Sequence, residues 1–555
     1  MTSFIPDIRL KHLRVVALIL AALVFLVTVY LDLRLQLATV DDSLIHFRIA
    51  EAYAHTGHAW YNSSEPVMST SSPLWTVLLA LIFKRTGSFA SIPYFEAFFT
   101  ALAAGFSGLL AIRIVGAYCP ASTTTSGSSA GRIPHSPQAL LLVIAASGIA
   151  WLCLAETAVA QMETPLALAL ALAGLWQLSK SADGTSYGFS ARPGFGLALI
   201  VLAGFTRFEF CMMALLVAVT LLFSRRSHPV TFTFATATAL LGCLWMWTQF
   251  HTVIPNTIVA KAAAYRFPAT RVLATLGMNP RLVPLFAAGL IVLVGLLVRR
   301  RAQVPLPAVA LSLVGFGMLL AATYSLRHAW LASWYLPLVL LPCCLGFLLL
   351  IPATPRAPVA RILACALLLW FLLLPVYTTR HLIAEAIFGL DYPRWNDEYA
   401  SSARVHEYFA VGQTLYRACP QGSLLTSEIG GLGYGFRGEI LDGVGLVTPA
   451  AIAFHPLSFP QDSPSRDEGA IPPRYAKAAG ADLIATYLHH GEAVVEQAQA
   501  LGYDDIPLPS FLRVDHILHP EASHFGPMHI LVRRSGTCSL PRVTQVIERE
   551  LRAQF

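Results

Sequence analysis

The sequence has little charge. Only 12% of its 555 residues are Asp, Glu, Lys or Arg, whereas 56% are hydrophobic and the mean hydropathy is +0.61. Soluble proteins carry about 25% charged residues, so water is not the solvent for most of this chain. Acids are especially scarce: the first 380 residues contain 11, and none occurs from 210 to 384. The composition excludes an ordinary soluble protein and leaves few side chains that could act as a base.

Other common signatures are also absent. The nine cysteines form no CxxC pair, and neither a Walker A motif nor a dinucleotide-binding fingerprint occurs. ATP-driven transport is therefore unsupported. Only Cys419 and Cys538 fall in the polar C-terminal part, where they allow a single disulfide if that part faces an oxidising compartment. The net charge of +7 does not indicate nucleic acid, because basic residues such as Arg225 and Arg226 flank apolar runs, as the positive-inside rule describes.

Apolar runs that are long enough to cross a bilayer recur through the first 380 residues. Together with two shorter runs near 73–84 and 165–180 they predict about eleven transmembrane helices. Arg9, Lys11 and Arg14 precede the first run, so we expect an uncleaved first helix and a cytoplasmic N-terminus. The C-terminal part then lies outside the cytoplasm. The nine longer runs lie near 15–31, 94–118, 138–158, 195–223, 230–250, 281–298, 304–322, 331–351 and 360–378.

The stretch between 85 and 224 does not fit a simple count of crossings. Lys180 and Arg192 indicate a cytoplasmic loop where the count places an outer one. Division of 195–223 into two short helices around Arg207 would reconcile the charges with the count.

Charge and pattern change after about residue 380. Of the 69 acidic and basic residues, 33 lie in the last 175 positions, where short apolar and polar stretches alternate with turn residues. We therefore predict a polytopic α-helical membrane domain over 1–380, with a first outer loop at 32–72. A smaller α/β or α+β extracytoplasmic domain is predicted over 381–555. We expect a multi-pass protein of the plasma (inner) membrane.

Two adjacent acids, Asp41 and Asp42, follow the first predicted transmembrane helix on its outer side. Apolar residues recur after them at helical spacing up to Gly57, which predicts an amphipathic helix with Asp42 as its N-cap. A cap needs only one carboxylate, and the repulsion between two adjacent carboxylates raises the pKa of one of them. A carboxylate at the membrane surface can remove a proton from a hydroxyl group or hold a divalent metal ion that does so. We predict a catalytic pair with Asp41 as the base, because Asp42 is the better cap; a cap alone is the alternative.

Further ionisable residues interrupt apolar segments. Arg207 and Glu209 lie in such a segment, where charged residues are functional or paired with each other. Glu163 precedes Pro165 at a predicted helix boundary, so capping is the alternative to a role in a site. Polar residues of the outer segments could bind a phosphate group, with interfacial anchoring as the alternative. The substrate-binding candidates are Arg48, Glu163, Arg207, Glu209, His251, Asn256, Lys261, Arg327 and His328.

Short motifs occur in a fixed order along the membrane domain. They are DDSLIHFR at 41–48, WYN at 60–62, SSPLWT at 71–76, QMETP at 161–165, TRFE at 206–209, IPNT at 254–257 with Lys261, and RH at 327–328 followed by WYLP at 334–337. Together they resemble the membrane-embedded GT-C glycosyltransferases, in particular the branch that contains terminal arabinofuranosyltransferases. A weaker likeness extends to DGVGLVTP at 442–449.

The resemblance implies a GT-C-like fold and transfer of a sugar, with a pentofuranose such as arabinofuranose favoured, from a polyprenyl-phosphate donor. The acceptor would be an extracytoplasmic glycan, glycolipid or protein. Asp41 or Asp42 would be catalytic; no cofactor is certain, and a divalent metal ion stays an alternative. The chain departs from the family pattern at STSS (69–72) and TRFE, which leaves sugar and acceptor open. Carried over by position, the other implied site residues are Glu163, Arg207, Glu209, Lys261, Arg327 and His328.

Two other classes of protein fit part of the pattern. A transporter or flippase of lipid-linked sugar would also place charges inside helices, but the sequence shows no inverted repeat. A non-catalytic envelope scaffold would leave the two aspartates, Arg207 and Glu209 unexplained.

Overall fold

Helices make up the N-terminal part of the protein in the computed structural model. Among the described residues, three helices are long and apolar enough to cross a membrane, and shorter apolar helices accompany them. This agrees with a membrane domain without fixing the number of crossings. The structure describes residues 10–35, 40–118, 137–180, 194–223, 229–264, 308–326, 333–350, 397–455, 471–508 and 528–550, with isolated positions between 373 and 382.

The three long helices are α1 (Leu10–Arg34), α4 (Ile92–Tyr118) and α5 (Pro137–Val159). The predicted runs at 281–298 and 360–378 lie wholly or mostly outside the described residues, as do Arg327 and His328. The other helices of this part are α2 (Asp41–Thr56), α3 (Pro73–Thr86), α6 (Thr164–Ser179), α7 (Phe195–Thr206), α8 (Phe210–Phe223), α9 (Pro229–Phe250), α10 (Asn256–Ala264), α11 (Ala308–Leu326) and α12 (Leu336–Leu350), the last preceded by a 3₁₀ turn at Ser333–Tyr335.

Small residues let the long helices approach one another and set their directions. A Cβ on Gly108 of α4 would lie 3.2 Å from the Cβ of Ala17 on α1, and one on Gly105 would lie 3.4 Å from that of Ala21. The later residue of α4 contacts the earlier residue of α1, so the two helices are antiparallel. The bundle therefore has a loop end, where α1 leads into α2, and an opposite end, where α1 begins and α4 finishes.

The apolar stretch 195–223 is divided at Arg207, which confirms the predicted division. A Cβ on Gly204 of α7 would lie 2.9 Å from the Sγ of Cys211 on α8. Residues seven apart in a straight helix are about 10 Å apart along the axis, so the chain folds back between the two helices. Arg207 has an extended backbone in this turn.

The C-terminal part is an α/β domain built on a five-stranded mixed sheet. The strand order is β2-β1-β3-β5-β4, with β1 parallel to β2 and β3, and β5 antiparallel to β3 and β4. Neighbours Leu424 and Leu425 of β1 belong to separate buried clusters, as alternation along a strand requires. The elements are α13 (Asp397–Ala418), β1 (Ser423–Thr426), α14 (Gly431–Phe436), β2 (Glu439–Asp442), a 3₁₀ helix (Pro449–Phe454), α15 (Pro473–Ala479), β3 (Leu483–Tyr487), α16 (Leu488–Glu496), β4 (Tyr503–Pro507), β5 (Met528–Arg533) and α17 (Leu540–Glu550).

A disulfide joins Cys419, after α13, to Cys538, before α17. The pairing that the sequence allowed is therefore confirmed. Such bonds persist in oxidising compartments, and the extracytoplasmic position of this domain stays a prediction.

The first predicted outer loop lies between the helical bundle and the α/β domain. Ser43 of α2 donates a hydrogen bond of 2.6 Å to the carbonyl of Ala160, just beyond α5. On the other side, the Asn62 side chain exchanges hydrogen bonds of 2.8 and 3.2 Å with the backbone of Ile440 on the edge strand β2. Edge strands have unpaired backbone groups, and Asn62 satisfies two of them. The loop therefore fixes the sheet relative to the loop end of the bundle.

Candidate functional site

Helix α2 begins at Asp41, and the prediction that Asp42 is its N-cap is wrong. Val40 occupies the N-cap position and no side chain caps the helix there. Both aspartates lie in the first turn, where acids are favoured by the exposed backbone N–H groups. Gly57, at φ 76°, ends the helix as predicted, since glycine adopts this left-handed conformation without a Cβ clash.

Asp41 is bound by the α/β domain. Its carboxylate accepts hydrogen bonds of 2.9 and 2.7 Å from the backbone N–H groups of Gly430 and Gly431, at the start of α14. Any Cβ on Gly430 would collide with the backbone oxygen of Asp41. Burial, with a smaller contribution from the charge of Glu428, raises the pKa of Asp41 to about 7, although the two N–H groups oppose the shift. Both carboxylate oxygens are thus occupied by the α/β domain.

Asp42 is half-buried, as Asp41 is, but its carboxylate faces Lys261 instead of the α/β domain. Its side chain is 27% exposed, and its Oδ2 lies 3.8 Å from the ammonium of Lys261 on α10. The prediction that Asp41 is the base assumed that Asp42 caps the helix. Asp42 makes no such cap, so the assumption is wrong. The carboxylate that lies beside a cation and is partly exposed is that of Asp42.

Tyr335 connects Lys261 to the buried charges of the bundle. Its hydroxyl lies 3.5 Å from the Lys261 ammonium, and the Arg207 guanidinium stacks 4.6 Å from its ring centroid. Cation–π contacts of this kind contribute more when the cation is desolvated. Sequence analysis gave Tyr335 no role, so its position between two cations was not predicted.

Arg207 joins two acids from different parts of the chain. One nitrogen lies 2.8 Å from Glu163 and another 3.1 Å from Glu209, whose carboxylate also accepts a 2.9 Å bond from the Tyr324 hydroxyl. Arg207 and Glu163 are 2% and 1% exposed. Glu163 does precede α6, as predicted, but it makes no side-chain cap. A mutual pair of Arg207 and Glu209 is therefore an incomplete description, because the guanidinium is shared with Glu163.

His46 was not predicted as a site residue. Its Nε2 lies 3.6 Å from Glu163 and its Nδ1 3.3 Å from the Thr70 hydroxyl. Burial lowers the pKa of His46, with the charge of Glu163 opposing the shift. The signal was available in the sequence, because a helical residue four positions after Asp42 lies on the same face.

These side chains form one contiguous group, which we call the polar cluster. It lies at the loop end of the bundle, where α2, the start of α6, the turn between α7 and α8, α10, α11 and the 3₁₀ turn before α12 meet. It brings together five of the residues that the sequence singled out. Its members are Asp42, His46, Glu163, Arg207, Glu209, Lys261, Tyr324 and Tyr335.

Three other predicted site residues make different contacts. Arg48 donates to the carbonyls of Tyr61, Gly433 and Gly438, so it joins the first loop to the α/β domain. The Asn256 amide donates bonds of 2.7 and 2.8 Å to backbone carbonyls at 445 and 446 of the same domain. His251 is exposed at the end of α9 with φ 56°. Arg48 and Asn256 thus position the domains around the cluster.

The chemistry of the cluster is that of paired charges. Within the described ranges, no three His, Cys, Asp or Glu side chains are grouped so that they could hold a metal ion. The acids of the polar cluster face Arg207 and Lys261 instead. Comparisons of the chain with protein-family models, curated proteins and solved structures found no match.

Proposed function

We propose that the protein is a membrane glycosyltransferase of GT-C type, with about eleven transmembrane helices and an extracytoplasmic α/β domain. It moves a sugar from a polyprenyl-phosphate donor to a hydroxyl group of a glycan, glycolipid or protein outside the cytoplasm. The observation that carries the proposal is the polar cluster, in which the partly exposed carboxylate of Asp42 lies beside Lys261 at the junction of apolar helices and a polar domain. A lipid-linked donor needs such a junction, because its tail is apolar and its phosphate is charged.

Asp42 acts as the general base. Its carboxylate takes the proton of the acceptor hydroxyl as the hydroxyl oxygen attacks the anomeric carbon of the donor. The bond between that carbon and the phosphate oxygen breaks, and its electron pair leaves with the polyprenyl phosphate. Lys261, 3.8 Å from Asp42, holds the phosphate and balances the charge that develops on it.

Arg207 is a positioning residue. Its charge is already balanced by Glu163 and Glu209, so little of it is available to a phosphate. Its guanidinium holds the ring of Tyr335, whose hydroxyl approaches Lys261. A fixed partner for Lys261 reduces the reorganisation that binding would otherwise require.

Sugar transfer by membranes that contain the Asp42→Asn variant tests the proposal. Asparagine keeps the size of the side chain but cannot accept the proton, so transfer from a polyprenyl-phosphate sugar should fall by about 10² to 10⁴-fold. Asp41→Asn is the matched control, and we expect it to lower transfer less, because Asp41 is occupied by Gly430 and Gly431. Wild-type transfer by a folded Asp42→Asn protein would refute the assigned base.

The donor and acceptor can be identified in cells that lack the protein. Mass spectrometry of lipid-linked sugars and envelope glycans should show an accumulated donor and a shortened glycan. A transporter of lipid-linked sugar would instead move the donor between the leaflets of proteoliposomes with no glycosylated product, and that result would contradict the proposal.

A further inference from the structure

Basic residues from three helices line a pocket at the end of the bundle opposite to α2. The pocket has a volume of about 280 Å³. Arg14 comes from the first turns of α1, Arg113 from the last turns of α4, and Lys180 follows α6. Trp176 also lines the pocket, and the Lys180 ammonium lies 3.6 Å from the centroid of the Trp176 ring. Leu109 and Ile112 form the apolar wall.

Helix packing brings these cations together. Arg14 lies three residues before Ala17, which faces Gly108, so antiparallel packing sets Arg14 beside the following turn of α4. That turn carries Arg113. The ring of Trp176 lies 5.8 Å from that of Phe106, which places α6 on the same stretch of α4. The convergence of the three cations is therefore a property of the bundle and not of one surface loop.

The positive-inside rule accounts for basic residues at this end but not for their convergence. Cations that only mark orientation can separate and reach into water, which reduces their mutual repulsion. Arg14 is exposed and Arg113 is half-buried, yet both line one pocket, and within the described part of the chain neither has a carboxylate at ion-pair distance. An anion in the pocket would balance this charge.

The surroundings indicate a phosphate that is attached to a lipid. Val15, next to Arg14, is 51% exposed. Leu18 lies one turn beyond Arg14 on the same face of α1 and is 64% exposed. Their exposed apolar surface continues from the pocket along α1, where acyl chains could lie. The pocket volume is several times the share of about 30 Å³ that one water molecule occupies, which suits a phosphate with its glycerol.

We propose that this pocket binds the phosphate group of an anionic membrane phospholipid. Basic pockets between transmembrane helices recognise such head groups, and each Lys or Arg near an anionic surface contributes about 1 kcal/mol. Arg14 and Arg113 supply the charge, Trp176 lies at head-group level, and the exposed face of α1 contacts the acyl chains.

Native mass spectrometry of the full-length protein in detergent tests the site. Titration of the unaltered protein with phosphatidylglycerol should show saturable binding that phosphatidylcholine does not match. The double variant Arg14→Gln with Arg113→Gln should bind phosphatidylglycerol about 25-fold more weakly than the unaltered protein does. This corresponds to about fivefold for each charge that is removed. Lys11→Gln, which removes an exposed charge from the same end of α1 outside the pocket, is the matched control and should bind within about twofold of wild type.

The comparison of lipids on the unaltered protein needs no variant, so a poorly folded double variant would not prevent a decision. Equal binding of phosphatidylglycerol and phosphatidylcholine would overturn the proposal. So would wild-type affinity in the double variant. Inorganic phosphate is the remaining probe: its competition with phosphatidylglycerol at equal concentration would assign the pocket to free phosphate and overturn the assignment to a lipid.

Discussion

Two adjacent aspartates in this protein have different surroundings. Successive residues of a helix point about 100° apart, so Asp41 can face the α/β domain while Asp42 faces Lys261. Asp41 is held by two backbone N–H groups, whereas Asp42 has one cation at 3.8 Å and partial exposure to solvent. The same residue type therefore holds two domains together at one position and is proposed as the base at the next.

The pKa of Asp41 gives a prediction about pH. Burial raises it from the ordinary 3.8 to about 7, so the folded protein binds this proton more tightly than the unfolded chain does. The contribution of Asp41 to stability is then fully present below pH 4 and is lost as the pH rises through about 7. In detergent, the unfolding temperature should fall between pH 5 and pH 8, and by less in Asp41→Asn.

Asp442, whose pKa burial raises to about 6, adds a dependence of the same sign. The variant should therefore still respond to pH. The informative quantity is the difference between wild type and Asp41→Asn at each pH, and a difference that stays constant from pH 5 to pH 8 would contradict the role given to Asp41.

Two cations of the polar cluster should respond differently to substitution. Arg207→Gln leaves the buried carboxylate of Glu163 without its cation, and loss of one partner of a buried pair costs about 3–5 kcal/mol. Lys261 is 37% exposed, so Lys261→Gln should cost no more than about 1 kcal/mol. Loss of a charge that stabilises the leaving phosphate should nevertheless lower transfer by about 10² to 10³-fold.

Thermal unfolding in detergent and sugar transfer, measured on the same preparations, check this contrast. Equal losses of stability in the Arg207 and Lys261 variants would show that burial does not separate their roles. Full transfer by Lys261→Gln would remove Lys261 from the proposed mechanism.

Among the elements, the first loop and the glycine-rich segment formed by Gly430 and α14 determine where α2 lies. Gly430 allows the backbone of Asp41 to approach, and Gly433 allows the Tyr61 hydroxyl to do so. Arg48 donates to the carbonyls of Gly433 and Gly438 and lies 4.4 Å from the ring centroid of Tyr61. These contacts cross from the helical part to the α/β domain, so the direction of Asp42 depends on both.

Gly430→Ala tests this dependence. The added methyl group would collide with Asp41 and displace the start of α2. Because a shift of about 1 Å in catalytic geometry can cost about 10²-fold in rate, transfer should fall by about that factor although no polar-cluster residue has changed. Gly148→Ala, within α5, is the matched control, because a Cβ there meets no atom within 4 Å.

The two variants are compared by transfer and by unfolding temperature. We expect Gly148→Ala to keep wild-type transfer, since alanine is favoured over glycine inside a helix. Wild-type transfer by Gly430→Ala would show that the α/β domain does not position Asp42.

On the scale of the whole molecule, two ends of the bundle have opposite character. The loop end carries the polar cluster and the disulfide-bonded α/β domain, and the other end carries Arg14, Arg113 and Lys180. About 30 Å of α1 separates Arg14 from Arg34, which is the thickness of a bilayer core. From the positive-inside rule we predict that the basic end is cytoplasmic and the loop end extracytoplasmic.

Labelling of introduced cysteines tests that orientation. Lys477→Cys lies on an exposed part of α15 and Lys11→Cys on an exposed part of α1. In right-side-out spheroplasts a membrane-impermeant maleimide should label the first variant and reach the second only after permeabilisation. Labelling of Lys11→Cys in intact spheroplasts, with Lys477→Cys protected, would reverse the orientation.

Several features were predictable because they depend on neighbouring residues along the chain. The apolar helical part and the C-terminal part with a sheet follow from composition, the end of α2 from Gly57, and the division of 195–223 from Arg207. Arg207 and Glu209 could be chosen because charged residues are rare in apolar segments. Glu163 was chosen at a predicted helix boundary, and Lys261 as a cation of an outer segment. His46 was within reach through its spacing from Asp42, but Tyr335 was not, since an aromatic belt gives the same local pattern.

The sequence alone determined that the protein has an apolar helical part and a polar C-terminal part, and that few acids are available for chemistry. Only the tertiary structure decided which of the two aspartates is held by the α/β domain and which faces Lys261. Gly430 and Gly431 lie almost 400 positions from Asp41 and occupy its carboxylate, and no pattern near Asp41 and Asp42 contains that information. Local hydropathy fixes the surroundings that a segment can occupy, whereas the partner of a buried charge is set by contacts between distant segments.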